Sequence, residues 1–147
     1  MTAVDPRRGP DGNPDTEPFW QAVAAEQLVA QCCDDCATYR FPPRPACHRC
    51  GSRASTWSAL SGAGRVVSWV VVHHVTHPAF VERVPYTIVL VELAEADGMM
   101  MYGNLPPEDG PLYDGMPVRA VFERQPDGST FVQWTAVAGS SRGSSAR

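Results

Sequence analysis

Two pairs of cysteines are the residues whose types and spacing point most clearly to chemistry. Cys33 and Cys36 leave two residues between them, Cys47 and Cys50 do the same, and ten residues separate the pairs. Two turns of this kind can bring four thiolates onto one cation, which suits a tetrahedral Zn²⁺ site. Cysteine fills all four positions, so no place remains for the water that a catalytic zinc keeps. The pattern therefore predicts one structural zinc ion, although iron in a four-cysteine site would give the same pattern.

Other uses of these cysteines fit the sequence less well. A redox Cys-x-x-Cys motif is expected once, near a strand–helix–strand unit, rather than twice within eighteen residues. Disulfides need an oxidising compartment, and the polar stretch from Met1 to Pro18 contains no secretory apolar segment. We therefore expect a cytoplasmic protein with reduced thiols. The fifth cysteine, Cys32, is expected to be a small buried residue beside the site.

Charge and composition restrict the classes of function. The net charge is −4, yet residues 32–65 carry a local balance of +3. This asymmetry suggests a small anionic partner such as a phosphate group rather than a long nucleic acid. All twelve basic residues are arginine, which excludes a Schiff-base mechanism on this chain because that mechanism needs a lysine amine. No segment approaches the ~18 apolar residues that span a bilayer.

The elements that must position these residues begin with a helix. Residues 1–15 are rich in Pro, Gly and Asp, and we expect them to be disordered. Residues 16–61 are predicted to form a helix followed by the metal module, and the helix should begin near Thr16, just before Pro18. Its apolar stripe contains Trp20, Val23, Ala24 and Leu28. We expect this stripe to pack on the same chain, and contact with a partner subunit remains the alternative.

After the metal module the pattern changes to period two and to strand composition. Five strands are predicted, at residues 65–74, 86–93, 99–104, 117–123 and 130–136. A loop with three prolines separates the third from the fourth, and this arrangement is typical of a five-stranded Greek-key barrel of the OB type. The barrel should occupy residues 62–137, followed by a disordered tail at 138–147. The predicted fold class is therefore mainly β, with one N-terminal helix.

A cluster of histidines is the first alternative place for chemistry. His73 and His74 are adjacent on a predicted strand, so their side chains should point to opposite faces, and His77 follows in a loop. No serine or carboxylate stands near them at a suggestive spacing. We therefore expect solvated histidines and predict no catalytic residue, and the loop carboxylates, Asp97 among them, are given no role.

A basic and aromatic group is the second alternative. Its members are Tyr39, Arg40, Phe41, Arg44 and Arg49. Guanidinium groups bind phosphates through paired hydrogen bonds, and aromatic rings can stack on adenine. In the competing interpretation, the two rings pack the metal module onto the barrel while the arginines are solvated. The sequence leaves both interpretations open.

The order of these motifs resembles a known family. The motifs are Pro18-Phe19-Trp20, Cys33-x-x-Cys36, Arg40-Phe41-Pro42-Pro43-Arg44, Cys47-x-x-Cys50-Gly51, Gly62-Ala63-Gly64-Arg65, Pro85-Tyr86 and Gly115-Met116-Pro117. Together they resemble the acyl-CoA-associated OB-fold proteins with an N-terminal rubredoxin-like zinc ribbon. The resemblance runs from about Phe19 to Ala136, and one departure is Ala37, where the family often has glycine.

The resemblance implies an accessory role beside a catalytic partner. Such proteins are similar to companions of thiolase-like enzymes, including the lipid-transfer-type aldolases of steroid side-chain degradation, and of MaoC-like enoyl-CoA hydratases. It implies that the chain binds or positions an acyl-CoA thioester and is not an enzyme on its own. Two alternatives remain: a nucleic-acid-binding protein built from the zinc ribbon and OB fold, which the acidic barrel segment disfavours, and a stand-alone acyl-CoA enzyme.

Overall fold

The structure is a computed structural model that describes residues 13–137. Its helix and strands in this range are α1 (Glu17–Ala24), β1 (Val29–Cys33), β2 (Tyr39–Arg40), β3 (Ser55–Ala59), β4 (Ala63–Val72), β5 (Tyr86–Leu93), β6 (Met100–Leu105), β7 (Pro117–Arg124) and β8 (Thr130–Ala136). The disorder predicted for residues 1–12 and 138–147 lies outside the described range. Within that range, no helix is long and apolar enough to cross a membrane.

The start of α1 agrees with the predicted position. Thr16 stands at the N-cap and Pro18 lies in the first turn. The Thr16 hydroxyl donates to the Asn13 carbonyl at 3.2 Å and makes no capping bond. Residues 13–15, which belong to the stretch expected to be disordered, form a hydrogen-bonded turn that leads into the helix.

The apolar stripe of α1 packs on the same chain, as expected, but it is shorter than predicted. The ring of Trp20 lies edge-on to Phe131 of β8, with the ring centroids 6.1 Å apart. Ala24 is exposed, and Glu26 adopts a left-handed φ of 58°, which ends the helix before Leu28. Leu28 is still buried, because the chain turns there into β1 and carries the side chain into the core.

The metal module is a three-stranded antiparallel sheet in the order β2-β1-β3. On one side of β1, Gln31 pairs with Arg40 of β2, and on the other side Cys33 pairs with Ser55 of β3. Strands β1 and β3 therefore lead into and out of the cysteine region. The loop at residues 60–62 connects this sheet to the barrel.

The barrel is a five-stranded antiparallel sheet in the order β6-β5-β4-β7-β8, and its outer strands β6 and β8 approach each other. All five strands agree with the predicted ones to within two residues at either end. At the closure, the Asn104 backbone N–H donates to Gln133 Oε1 at 2.6 Å. A Cβ on Gly103 would lie 2.6 Å from Cδ1 of the fully buried Trp134, so this approach requires glycine. The predicted OB-type barrel is confirmed.

The hairpin between β5 and β6 is held by one carboxylate. Glu92 accepts a hydrogen bond from the Gly98 backbone N–H at 2.8 Å and forms an ion pair with Arg65 of β4. These contacts, the Gly98 bond first and Arg65 second, lower the pKa of Glu92. The hairpin loop at residues 94–99 is thereby fixed above the end of the barrel that faces the metal module.

Candidate metal centre and the adjoining cavity

The two cysteine pairs form two equivalent turns. The Ala37 backbone N–H donates to the Cys33 carbonyl and the Gly51 N–H donates to the Cys47 carbonyl, both at 2.9 Å. Ala37 and Gly51 both have left-handed backbones, with φ of 55° and 77°. Glycine adopts this conformation without steric cost, whereas alanine does not. The departure at Ala37 therefore leaves the turn intact at the expense of local strain.

The sulfur atoms already have the spacing of a tetrahedral metal site. The four Sγ atoms of Cys33, Cys36, Cys47 and Cys50 all lie within 4.8 Å of one another. Cys33 and Cys50 are 3.6 Å apart at sulfur, and so are Cys36 and Cys47. A tetrahedron with Zn–S bonds of about 2.3 Å places its sulfurs about 3.8 Å apart. The four predicted ligands therefore fit Zn²⁺, and they leave no vertex for water or substrate.

The thiols depend on a cation to ionise together. Hydrogen bonding with the Thr38 side chain, and then with the Thr38 backbone, lowers the pKa of Cys36 to about 6. The Ser52 backbone N–H lowers the pKa of Cys50, but the adjacent Cys36 and burial outweigh it and raise that pKa to about 12. A bound divalent cation removes this conflict because coordinated thiols are deprotonated outright. Cys32, by contrast, is half-buried and lies outside the cluster.

A cavity of about 550 Å³ adjoins the metal centre and separates the metal module from the β5–β6 hairpin loop. All five residues of the predicted basic and aromatic group line it: Tyr39, Arg40, Phe41, Arg44 and Arg49. The structure thus brings together residues that are up to ten positions apart in the sequence. His73, His74 and His77 are exposed, as expected, and do not line this cavity.

The three arginines of the cavity differ in their surroundings. Arg44 and Arg49 are exposed, and their backbones are fixed. The Arg44 N–H donates to Gln31 Oε1 at 2.9 Å, and the Arg49 N–H donates to Cys47 Sγ at 3.4 Å. Arg40 is only 2% exposed, and its three guanidinium nitrogens are buried without a hydrogen-bond partner. The cavity therefore offers two accessible guanidinium groups and one that solvent does not reach.

The two aromatic residues also have different surroundings. Both are half-buried and pack against the hydrophobic core. The Phe41 ring lies against Phe19 of α1 at a centroid distance of 5.3 Å, which joins the helix to the metal module. This contact is with the helix, whereas the competing interpretation had Phe41 pack the metal module onto the barrel. Tyr39 pairs with Cys32 at the start of β2 and lines the cavity.

The acidic wall of the cavity was missed by the sequence analysis. Glu95 and Asp97 line it from the hairpin loop, opposite the arginines of the metal module. Glu95 Oε1 accepts a hydrogen bond from the Ser61 backbone N–H at 2.6 Å, in the loop between module and barrel. No local motif marks these residues, because their position depends on how the hairpin returns to the metal module.

Comparison with known families assigns both halves of the chain. Residues 20–56 match the family described as the rubredoxin-like zinc ribbon domain of ChsH2, and residues 57–123 match the C-terminal OB-fold domain of ChsH2. Together with the sulfur geometry, this match makes the four-cysteine cluster a zinc-ribbon site for one structural zinc ion.

Three similar proteins give further context. A solved structure titled Ltp2-ChsH2(DUF35) aldolase superposes with a TM-score of 0.76 at 34% identity, covering 87% of this chain and 98% of that one. A probable enoyl-CoA hydratase alpha subunit of Thermomonospora curvata is 41% identical over 103 residues, which is 70% of this chain and 30% of the relative. The 3-oxo-4,17-pregnadiene-20-carboxyl-CoA hydratase alpha subunit of Mycobacterium tuberculosis is 38% identical over 123 residues, covering 83% and 38%. The chain thus spans about a third of the length of these two subunits.

Proposed function

The chain belongs to the ChsH2 family of zinc-ribbon and OB-fold (DUF35) proteins, and from this membership we propose that it is a non-catalytic accessory subunit. In this proposal it binds or positions an acyl-CoA thioester for a partner enzyme in the cytoplasm. The partner is a thiolase-like enzyme, such as a lipid-transfer-type aldolase acting on steroid side chains, or a MaoC-like hydratase. The similar proteins that carry aldolase and hydratase names support this choice of partners.

The observation that carries the proposal is the cavity beside the zinc ribbon. Exposed guanidinium groups of Arg44 and Arg49 stand at its basic wall, and a guanidinium matches the paired oxygens of a phosphate group. Their backbones are tied to β1 and to a zinc ligand, so the zinc site holds this wall in place. We propose that these two arginines bind the phosphates of CoA and that Arg40 adds positive charge behind them.

For the adenine ring we propose Tyr39 as the stacking partner. Its side chain is half-buried and lines the cavity, so part of it is accessible to a ligand. Phe41 is already in contact with Phe19, and in this proposal it supports the wall from behind. In this proposal Tyr39 and Phe41 have different roles, although the sequence alone gave no reason to distinguish them.

A non-catalytic role agrees with the chemistry of the chain's own residues. Four of its five cysteines are zinc ligands, and the chain has no lysine for a Schiff base. The clustered histidines are exposed and lie away from the cavity. In this proposal the acyl group is therefore transformed by the partner, and the chain holds the CoA portion.

The test is a titration of acetyl-CoA into the complex of this chain with its co-purified partner. Arg44→Ala and Arg49→Ala should each weaken binding by about 1.5–3 kcal/mol, the usual contribution of a hydrogen bond to a charged group. Arg53→Ala is the matched control, because Arg53 is also an exposed ribbon arginine but does not line the cavity. Unchanged affinity in both cavity variants and in their double variant would return these arginines to the role of solvated surface residues.

A further inference from the structure

Arg40 carries a positive charge with no visible compensation. It lies on β2, is 2% exposed, and its Nε, Nη1 and Nη2 atoms are buried without a hydrogen-bond partner. A guanidinium group cannot be deprotonated in a protein, so the charge is permanent. A buried charge is strongly unfavourable unless an opposite charge or hydrogen bonds balance it. Arg40 lines the cavity, so the charged groups around that cavity are the candidates to balance it.

Glu95 has the opposite charge and also has a buried atom without a hydrogen-bond partner. Its Oε1 atom is fixed by the Ser61 backbone N–H at 2.6 Å, while its Oε2 atom is buried without a hydrogen-bond partner. Glu95 lines the same cavity from the barrel side. Its carboxylate is therefore attached to the loop that joins ribbon and barrel, and one oxygen remains unsatisfied.

The other charged side chains of the cavity need no such partner. Arg44, Arg49 and Asp97 are exposed, so water screens their charges. The unpartnered guanidinium and the unpartnered carboxylate oxygen are thus both shielded from water and opposite in charge, and they belong to different halves of the protein. Opposite charges interact across larger separations where water is excluded, because the effective dielectric constant is lower there.

We propose that Glu95 is the internal counter-ion of Arg40. In the empty cavity the two buried charges balance each other through space across the junction of ribbon and barrel, since no hydrogen bond joins them, and an anion held by the exposed arginines of the cavity competes electrostatically with Glu95 for the charge of Arg40. Anion binding and the attachment of the ribbon to the barrel are then thermodynamically linked, because both depend on the charge of the Arg40 guanidinium. The pairing stands without the proposed function, and only the choice of CoA phosphate as the anion rests on that function.

The pairing is tested by a thermal double-mutant cycle on the ligand-free chain. The variants are Arg40→Met, Glu95→Gln and their combination, and the Gln side chain keeps an oxygen that accepts from Ser61. Each single variant leaves one buried charge unbalanced and should lower Tm by several degrees. The double variant should regain most of that loss. Arg44→Met with Asp97→Asn forms the control cycle, which should show additive effects. Additive losses for Arg40 and Glu95 would overturn the pairing.

The competition is tested by calorimetric titration of pyrophosphate and CoA into the same variants. Glu95→Gln frees Arg40 and should raise anion affinity on the order of tenfold. A weaker affinity in Glu95→Gln would mean that Glu95 contacts the ligand, and it would overturn the counter-ion role. If Arg40→Met does not fold, the Tm and affinity of Glu95→Gln alone decide the matter. If pyrophosphate behaves as expected but CoA binds to no variant, the pairing stands and the proposed function fails.

Discussion

The most specific prediction concerns the zinc site, because substitution of two adjacent cysteines should have opposite effects on metal binding. Cys33 is 1% exposed and its sulfur lies 3.6 Å from that of Cys50, whereas Cys32 is outside the cluster. Cys33→Ser should therefore abolish tight metal binding, and Cys32→Ser should not. The two substitutions change the same atom at neighbouring positions of one strand, so each serves as the control for the other.

The expected magnitude follows from the size of the ribbon. Its sheet contains strands of only five, two and five residues. A structural Zn²⁺ site contributes roughly 10–16 kcal/mol in small zinc domains, which is comparable to the whole stability of a typical protein, about 5–15 kcal/mol. Such a small sheet cannot replace that contribution. Loss of the metal should therefore unfold the ribbon, while the barrel, whose five strands pair with one another around the buried Trp134, should remain folded.

The assay combines elemental analysis with hydrogen exchange. Wild type and Cys32→Ser should hold about one zinc per chain, and Cys33→Ser far less. In the metal-free state, the Ala37 and Gly51 amides of the two cysteine turns should exchange rapidly, while the Asn104 amide at the barrel closure stays protected. Protected ribbon amides without metal would refute the folding role of zinc. Loss of zinc from Cys32→Ser would refute the ligand set.

Three further predictions concern stability. Ala37→Gly should stabilise the protein by about 0.5–1 kcal/mol in urea unfolding, because it removes the strain of an alanine in the left-handed conformation. Gly51→Ala should destabilise the protein by a similar amount. Equal stability of the wild type and both variants would contradict this explanation. Gly103→Ala should cost about 1–3 kcal/mol through its clash with Trp134, and an unchanged Tm would show that the barrel closure is loose. Glu92 has a lowered pKa when folded, so its stabilising effect is present at neutral pH and is lost as the pH falls through that pKa. Glu92→Gln should therefore lower Tm at neutral pH but not in acid, and a pH-independent difference would contradict this assignment.

Local patterns predicted the fold well because each element depends on its own sequence. The spacing of the cysteines within each pair requires a tight turn, and the left-handed backbone of Gly51 is what that turn uses. Strand composition and period-two alternation located the five barrel strands, and burial alternates most clearly along β5. The end of α1 was mispredicted for a related reason. Leu28 continues the helical period by position, yet its burial comes from β1, which the chain enters after the left-handed Glu26.

The site was predictable only in part. Whether a side chain is buried, and which residues face it across the cavity, depends on contacts between distant parts of the chain. Arg40 and Arg44 lie in one short segment and look alike in the sequence. Pairing of β2 with β1 buries the former, while the latter stays exposed. Glu95 meets the cavity only because a hairpin loop returns to Ser61, 34 residues earlier in the chain. No local pattern contains that information.

We propose that the chain supports catalysis by a partner enzyme and is silent alone. The most direct measurement is acyl-CoA turnover by the chain, by the partner that co-purifies with it from the native host, and by the reconstituted complex. We expect no turnover by the chain alone, full activity only in the complex, and a raised KM for acyl-CoA when the complex carries Arg44→Ala. Enzyme-like turnover by the isolated chain, or a partner whose activity and KM do not depend on the chain, would contradict it.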